Sequence, residues 1–223
     1  RPGPGIRHWG CCMSSGMRRL WLVRHARPLV EPGLCYGSSD MPADAADTER
    51  AARELAAVLP VGATLVMSGL QRAQQLARAL QARRPELALP LCDPRLNEMD
   101  FGRFELSRWD AIDRAEFDAW TDNFHSHRFG GRESVAELLA RVGQALHDAG
   151  LIQPSTEKQY PASQDLVWFT HAGVIRAASL LHARPDARPL ATDWPAQAPA
   201  FGGWHCLDWP LPYGAGKGYS FQG

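Results

Sequence analysis

The segment LWLVRHA, residues 20–26, is the most informative part of this sequence. Its first four residues form a continuous apolar run, which is typical of a strand buried on both faces of a sheet. Arg24 and His25 follow directly, so a guanidinium and an imidazole stand where the strand ends. In open α/β sheets, ligands bind outside the carboxyl ends of the strands. The segment therefore predicts an α/β fold and the position of its site.

The same order of a short apolar strand and a helical pattern recurs twice along the chain. Residues 64–67 form a second apolar run, and Ser68 is expected to cap a helix from near Leu70 to about Arg84. Residues 165–170 form a third run, followed by helical spacing from Val174 to His182. Alternating strands and helices predict a three-layer α/β/α sandwich, with a mostly parallel sheet and helices on both faces.

Further elements are predicted between and after these units. The sequence Ser134-Val-Ala-Glu137 is a capping box that should open a helix. A helical insertion near the active site is expected over residues 106–129, where spaced aromatic side chains are interpreted as packing residues: Trp109, Phe117, Trp120 and Phe124. The remaining predictions are a helix over residues 44–59, a strand over 87–92, an extended connection over 184–199 and an edge strand over 203–209.

Composition narrows the functional classes. The 223 residues are 45% apolar, and 24 Lys and Arg balance 24 Asp and Glu, so neither nucleic acid nor a membrane surface is an expected partner. No apolar run approaches the roughly 20 residues that a membrane-spanning helix needs. Five cysteines without a C-x-x-C pair predict reduced thiols and a cytoplasmic location. Residues 1–17 are expected to be a disordered leader or upstream sequence, 18–212 one catalytic domain, and 213–223 a loose tail.

Four basic side chains follow predicted strands and are expected to converge. Arg24 and His25 follow the first strand, Arg72 lies in the first turn of the helix after the second, and His171 follows the third. Arginine binds phosphate oxygens in a bidentate manner and keeps its charge, so the expected ligand is a phosphoryl group. His25 is predicted to attack phosphorus through a ring nitrogen, while Arg24, Arg72 and His171 hold the phosphoryl oxygens.

The leaving group of such a reaction needs a proton donor. Glu98 is the leading candidate for this acid and Asp100 the reserve. His125 and His127 flank Ser126, but no third ligand is evident near them, so neither a metal nor another cofactor is predicted. The substrate partner is expected to be a small-molecule phosphate ester.

Four segments resemble the signatures of the histidine phosphatase superfamily, also called phosphoglycerate mutase-like. They are LVRHA at 22–26, SGLQRA at 68–73, LNE at 96–98 followed by FG at 101–102, and THAG at 170–173. The resemblance implies that His25 accepts the phosphoryl group without a metal, Glu98 donates the proton, and His171 binds phosphate together with the arginines at 24 and 72. The chain lacks the longer insertion and C-terminal segment that resemblance to a cofactor-dependent mutase would require.

Three positions depart from the family pattern: Ala26 replaces a usual Gly, Pro28 a frequent Thr, and Gly69 a frequent Pro. These changes leave open a catalytically weak or inactive phosphate-binding regulatory module. Residues 33–40 are similar to a loop of bacterial α-ribazole-phosphate phosphatases of cobalamin synthesis. The leading hypothesis is therefore hydrolysis of a small phosphomonoester such as α-ribazole phosphate. A phosphoprotein phosphatase remains the other alternative, although the insertion argues against the open site it would need.

Overall fold

The computed structural model describes residues 18–151 and 165–209. Within them, one five-stranded sheet has the order β3-β2-β4-β1-β5. Its strands are β1 (Arg18–Arg24), β2 (Thr64–Met67), β3 (Leu91–Cys92), β4 (Leu166–Thr170) and β5 (Trp204–Trp209). The first four strands are parallel, and β5 runs antiparallel along the outer edge of β1. The predicted edge strand near residues 203–209 is confirmed.

Five α-helices accompany the sheet within the described residues. They are α1 (Ala45–Ala56), α2 (Gln71–Arg83), α3 (Arg114–Asp122), α4 (Val135–Leu151) and α5 (Ala172–Ala183). Side chains of β1 alternate between two cores: Leu20 and Leu22 pack with α4 and α5, whereas Trp21 and Val23 pack with α1 and α2. Because successive residues of a strand face opposite sides, one strand serves both helical layers. The predicted three-layer sandwich is confirmed.

Several element ends agree with the sequence prediction and others differ. The capping box is confirmed, since Ser134 Oγ accepts the Glu137 N–H at 3.3 Å and a Glu137 oxygen accepts the Ser134 N–H at 2.8 Å. The strand predicted over 87–92 is reduced to its last two residues, because the Leu87 N–H bonds to Arg84 O in a turn. Helix α1 ends at Ala56, earlier than predicted.

The prediction that Ser68 caps helix α2 is wrong. Leu70 occupies the N-cap position, and none of the described side chains caps the helix there. Ser68 lies two residues earlier in the loop, where its hydroxyl accepts the Leu70 N–H at 3.1 Å and also contacts two polar side chains described below. A hydroxyl that satisfies this network is not available to the second or third N–H of the helix.

The insertion after Leu106 folds as α3 between short 3₁₀ turns. Its aromatic side chains surround the fully buried Phe129, with Trp120 stacked at 4.5 Å and Phe117 at 5.3 Å between ring centroids. They are packing residues, as predicted. In the described part of the chain, no helix is long and apolar enough to cross a membrane. The predicted leader, residues 1–17, and the tail, 213–223, lie outside the described residues.

Candidate active site

The sheet register brings the predicted site residues together. Arg24 pairs with Thr170 across β1 and β4, so His25 and His171 are the next residues of two adjacent strands. Their rings lie 5.0 Å apart between centroids. On the other side of β4, Met67 pairs with Phe169, which places the loop that begins at Ser68 beside the same strand end. Residues from three separate segments therefore meet at the carboxyl edge of the sheet.

His25 is a buried imidazole with a fixed proton. Its side chain is 2% exposed, and Nδ1 lies 2.7 Å from the carbonyl oxygen of Ala26. A carbonyl oxygen only accepts, so Nδ1 carries the hydrogen and Nε2 keeps its lone pair in the neutral ring. Burial, reinforced by the charges of Arg72 and Arg24, lowers the pKa of His25 from 6.5 to about 3. The ring is neutral at physiological pH and its Nε2 can act as a nucleophile.

Two guanidiniums near this ring are hydrogen-bonded to backbone carbonyls. Arg72 is fully buried and donates from its two terminal nitrogens to Ser39 O at 2.8 Å and Gly37 O at 2.6 Å. Arg24 donates to Pro199 O at 3.0 Å, and its guanidinium lies 4.0 Å from the Phe201 ring centroid. The buried Nε atoms of both arginines have no protein partner in the described structure. Within the same residues, neither arginine is neutralised by a carboxylate hydrogen bond, so both keep positive charge for an anion.

The loop that holds Arg72 is itself organised by Glu105, a residue that the sequence analysis missed. The carboxylate of Glu105 accepts the backbone N–H groups of Gly37 at 3.0 Å, Ser38 at 3.0 Å and Ser39 at 3.1 Å. It also accepts the Phe101 N–H at 2.9 Å. These bonds lower the pKa of Glu105 even though burial opposes ionisation. No sequence motif indicates such a residue, because its loop partners lie more than 60 positions earlier along the chain.

His171 is fully buried and linked to two further residues that the sequence analysis did not assign to the site. Its Nε2 lies 2.8 Å from Ser68 Oγ, and Ser68 Oγ lies 2.9 Å from Asn97 Oδ1. The Nδ1 atom is buried without a hydrogen-bond partner among the described residues. Burial, with His25 and the arginines nearby, lowers the pKa of His171 well below its ordinary value.

Glu98 lies at the N-terminus of α5, next to His171. One carboxylate oxygen accepts the Gly173 N–H at 3.0 Å and the other accepts the Met99 N–H at 3.0 Å. Gly173 is needed for this approach, because a Cβ atom there would lie 2.2 Å from Glu98 Oε1. The reserve candidate, Asp100, instead accepts the Gly102 N–H at 2.8 Å. The structure thus associates Glu98 more closely with the segment that contains His171.

A polar pocket of about 510 Å³ shares Glu98 with the site. The part of its wall close to the site also contains Ser38 and Asn97. Three arginines and four carboxylates line the pocket: Arg128, Arg132, Arg141, Glu98, Asp100, Glu133 and Glu137. The wall therefore presents mainly charged and amide groups. Over residues 18–151 and 165–209, no group of three or more His, Cys, Asp or Glu side chains converges as a metal site.

Solved structures share this fold. A mycobacterial glucosyl-3-phosphoglycerate phosphatase, Rv2419c, superimposes with a TM-score of 0.71 at 24% identity, over 86% of this chain and 91% of that chain. The protein TTHB049 from Thermus thermophilus superimposes with a TM-score of 0.60 at 28% identity, over 86% of this chain and 94% of that chain. Among proteins with curated descriptions, none is significantly similar to this sequence.

The family model of the histidine phosphatase superfamily, branch 1, matches residues 20–194. The match begins in β1 and extends beyond α5, so it includes all five predicted site residues: Arg24, His25, Arg72, Glu98 and His171. The chain belongs to the histidine phosphatase superfamily, branch 1.

Proposed function

We propose that this protein hydrolyses small-molecule phosphomonoesters through a phosphohistidine intermediate on His25. The observation that carries the proposal is the state of that ring: it is neutral, its Nδ1 is bonded to Ala26 O, and the guanidiniums of Arg24 and Arg72 lie close by. A neutral Nε2 is the nucleophile, and the guanidiniums stabilise the charge on the equatorial phosphoryl oxygens. Family membership supports either a phosphatase or a mutase. Of these two activities, we propose the phosphatase, which hydrolyses its substrate.

The chemistry takes two steps. In the first, His25 Nε2 forms a bond to phosphorus while the bond from phosphorus to the ester oxygen breaks, and Glu98 gives its proton to the leaving oxygen. In the second, Glu98 takes a proton from a water molecule whose oxygen attacks the phosphohistidine, and the bond from nitrogen to phosphorus breaks. Inorganic phosphate leaves and Glu98 is again protonated. Arg24, Arg72 and His171 contact the phosphoryl oxygens in both steps.

The substrate we propose is a phosphate ester of a small polar alcohol. The lining of the pocket beside Glu98 supports this class, because its charged and amide groups can bind hydroxyls. α-Ribazole phosphate is retained as one candidate from the similarity of residues 33–40. Glucosyl-3-phosphoglycerate, named for the mycobacterial neighbour, is the second candidate, and its hydroxyl-rich leaving group suits the pocket better.

The decisive experiment compares the intact protein with His25→Ala in excess chelator. Phosphate release from p-nitrophenyl phosphate is measured first, and then release from the two candidate substrates and a phosphopeptide. We expect release by the parent, none by the variant, and the highest kcat/KM on a small metabolite ester. Equal release by both proteins would refute His25 as the nucleophile. Inorganic phosphate binding without turnover of any ester would favour a regulatory module, and preference for the peptide would favour a phosphoprotein phosphatase.

A further inference from the structure

Asn97 and Ser68 form a hydrogen-bonded chain behind His171 that the proposed chemistry does not use. Asn97 Oδ1 lies 2.7 Å from the backbone nitrogen of Gly69 and 2.9 Å from Ser68 Oγ. Ser68 Oγ lies 3.1 Å from the Leu70 nitrogen and 2.8 Å from His171 Nε2. Ser68 is fully buried, so its hydroxyl is shielded from bulk solvent.

The direction of every bond in this chain follows from one fixed donor. The Gly69 N–H can only donate, so the Asn97 atom that faces it is the amide oxygen. That oxygen cannot donate to Ser68, which must therefore give its single hydroxyl proton to Asn97. Both lone pairs of Ser68 Oγ then accept, one from the Leu70 N–H and the other from His171 Nε2. His171 Nε2 is consequently protonated.

We propose that Asn97 is a positioning residue which, through Ser68, holds His171 with a proton on Nε2 and presents Nδ1 to the phosphoryl oxygen. This inference rests on the proposed function for its consequence in catalysis. Nδ1 is the buried nitrogen of His171 that lacks a partner among the described residues. In the neutral ring it carries only a lone pair, so His171 can donate to phosphate only after it gains a second proton. Phosphate binding is therefore coupled to uptake of one proton, either from solution or from a monoanionic ester.

Gly69 connects this chain to a departure from the family pattern. Where the family often has Pro, this protein has a residue whose N–H donates to Asn97. Proline has no N–H and could not orient the amide in this way. A Cβ at Gly69 would also lie only 3.2 Å from Asn97 Oδ1. The replacement of Pro by Gly69 therefore supplies the N–H that orients the Asn97 amide.

The test measures the tautomer of His171 by NMR in the ¹⁵N-labelled, ligand-free protein. The tautomer is determined from correlations between the imidazole nitrogens and the carbon-bound ring protons. The parent should show a protonated Nε2 and an unprotonated Nδ1. In Asn97→Leu the Ser68 hydroxyl is released and can donate to His171 Nε2, so a population protonated on Nδ1 should appear. Asn97→Asp keeps an acceptor for both the Gly69 N–H and the Ser68 hydroxyl, so Nε2 of His171 should stay protonated in this variant.

Activity provides the second readout. We expect kcat/KM to fall about tenfold in Asn97→Leu, whereas Asn123→Leu at an exposed site should change neither measurement. Ser68→Ala should also remove the tautomer preference, while the Gly69 N–H still orients the amide of Asn97. A parent protonated on Nδ1, or an Asn97→Leu spectrum identical to the parent, would overturn the inference. Absence of phosphatase activity in the parent would instead refute the proposed function, since the NMR result does not depend on turnover.

Discussion

Replacing Gly173 by alanine tests how the position of Glu98 affects leaving-group departure. The new Cβ would lie 2.2 Å from Glu98 Oε1 and 3.1 Å from its carboxyl carbon, whereas ordinary contact begins at 3.4 Å. The carboxylate must therefore retreat by about 1 Å, and the bond from the Gly173 N–H to Glu98 lengthens or breaks. A displacement of this size can lower the rate about 100-fold when it misplaces a catalytic group.

The assay compares two substrates with different leaving groups. An alkyl phosphate needs protonation of its departing oxygen, so its kcat/KM should fall about 100-fold in Gly173→Ala. The p-nitrophenolate ion leaves without a proton, so kcat/KM for p-nitrophenyl phosphate should fall less than about tenfold. Unfolding in urea should show a loss of about 1–2 kcal/mol, from one lost hydrogen bond and local crowding.

Gly143→Ala is the matched control, because its Cβ would meet only Leu181 Cδ1 at an ordinary 3.6 Å. Gly143 lies inside α4, so this change should preserve activity and raise stability by up to about 1 kcal/mol. Equal losses on the alkyl and aryl substrates in Gly173→Ala would refute the assignment of Glu98 as the acid. An unchanged alkyl phosphate rate would refute the requirement for its present position.

Three further predictions concern stability. The pKa of His25 is 6.5 in the unfolded chain and about 3 in the folded protein. Between these two pH values the unfolded chain binds a proton at His25 and the folded protein does not, so the unfolding free energy should fall as the pH falls. His25 contributes about 1.4 kcal/mol per pH unit to the dependence of the unfolding free energy on pH. Urea titrations at several pH values should therefore show a weaker pH dependence in His25→Gln than in the parent. An equal pH dependence in the two proteins would contradict the burial argument. Glu105→Gln removes an ionised acceptor from the loop at Gly37 and should lower the unfolding free energy by about 2–3 kcal/mol. It should also weaken the binding of inorganic phosphate, measured by calorimetry. An unchanged affinity would show that this loop does not affect phosphate binding. Leu106 is exposed and has a φ of 63°, a backbone conformation that favours glycine. Leu106→Gly should therefore raise the unfolding free energy, measured in urea, by about 0.5–1 kcal/mol. An unfolding free energy below that of the parent would show that the Leu106 side chain makes a stabilising contact.

Much of the fold could be predicted because its signals are local. The apolar runs of β1, β2 and β4 and the capping box of α4 depend on neighbouring residues along the chain, and each lies where the sequence placed it. The third strand could not be delimited in the same way. Leu87 is apolar but buried in a turn after α2, so its apolar character does not distinguish a strand from a packed loop.

By itself, the sequence determined that basic groups follow three buried strands, and parallel strands bring their carboxyl ends to one edge of the sheet. That was sufficient to place His25, Arg72 and His171 in one site. Only the tertiary structure decided which groups hold them there: Ser68 reaches His171 across 103 positions, and Glu105 reaches the loop of Arg72 across 66 to 68. Hydrogen bonds between distant segments depend on strand order and on how loops pack, and neither leaves a periodic or local pattern in the sequence.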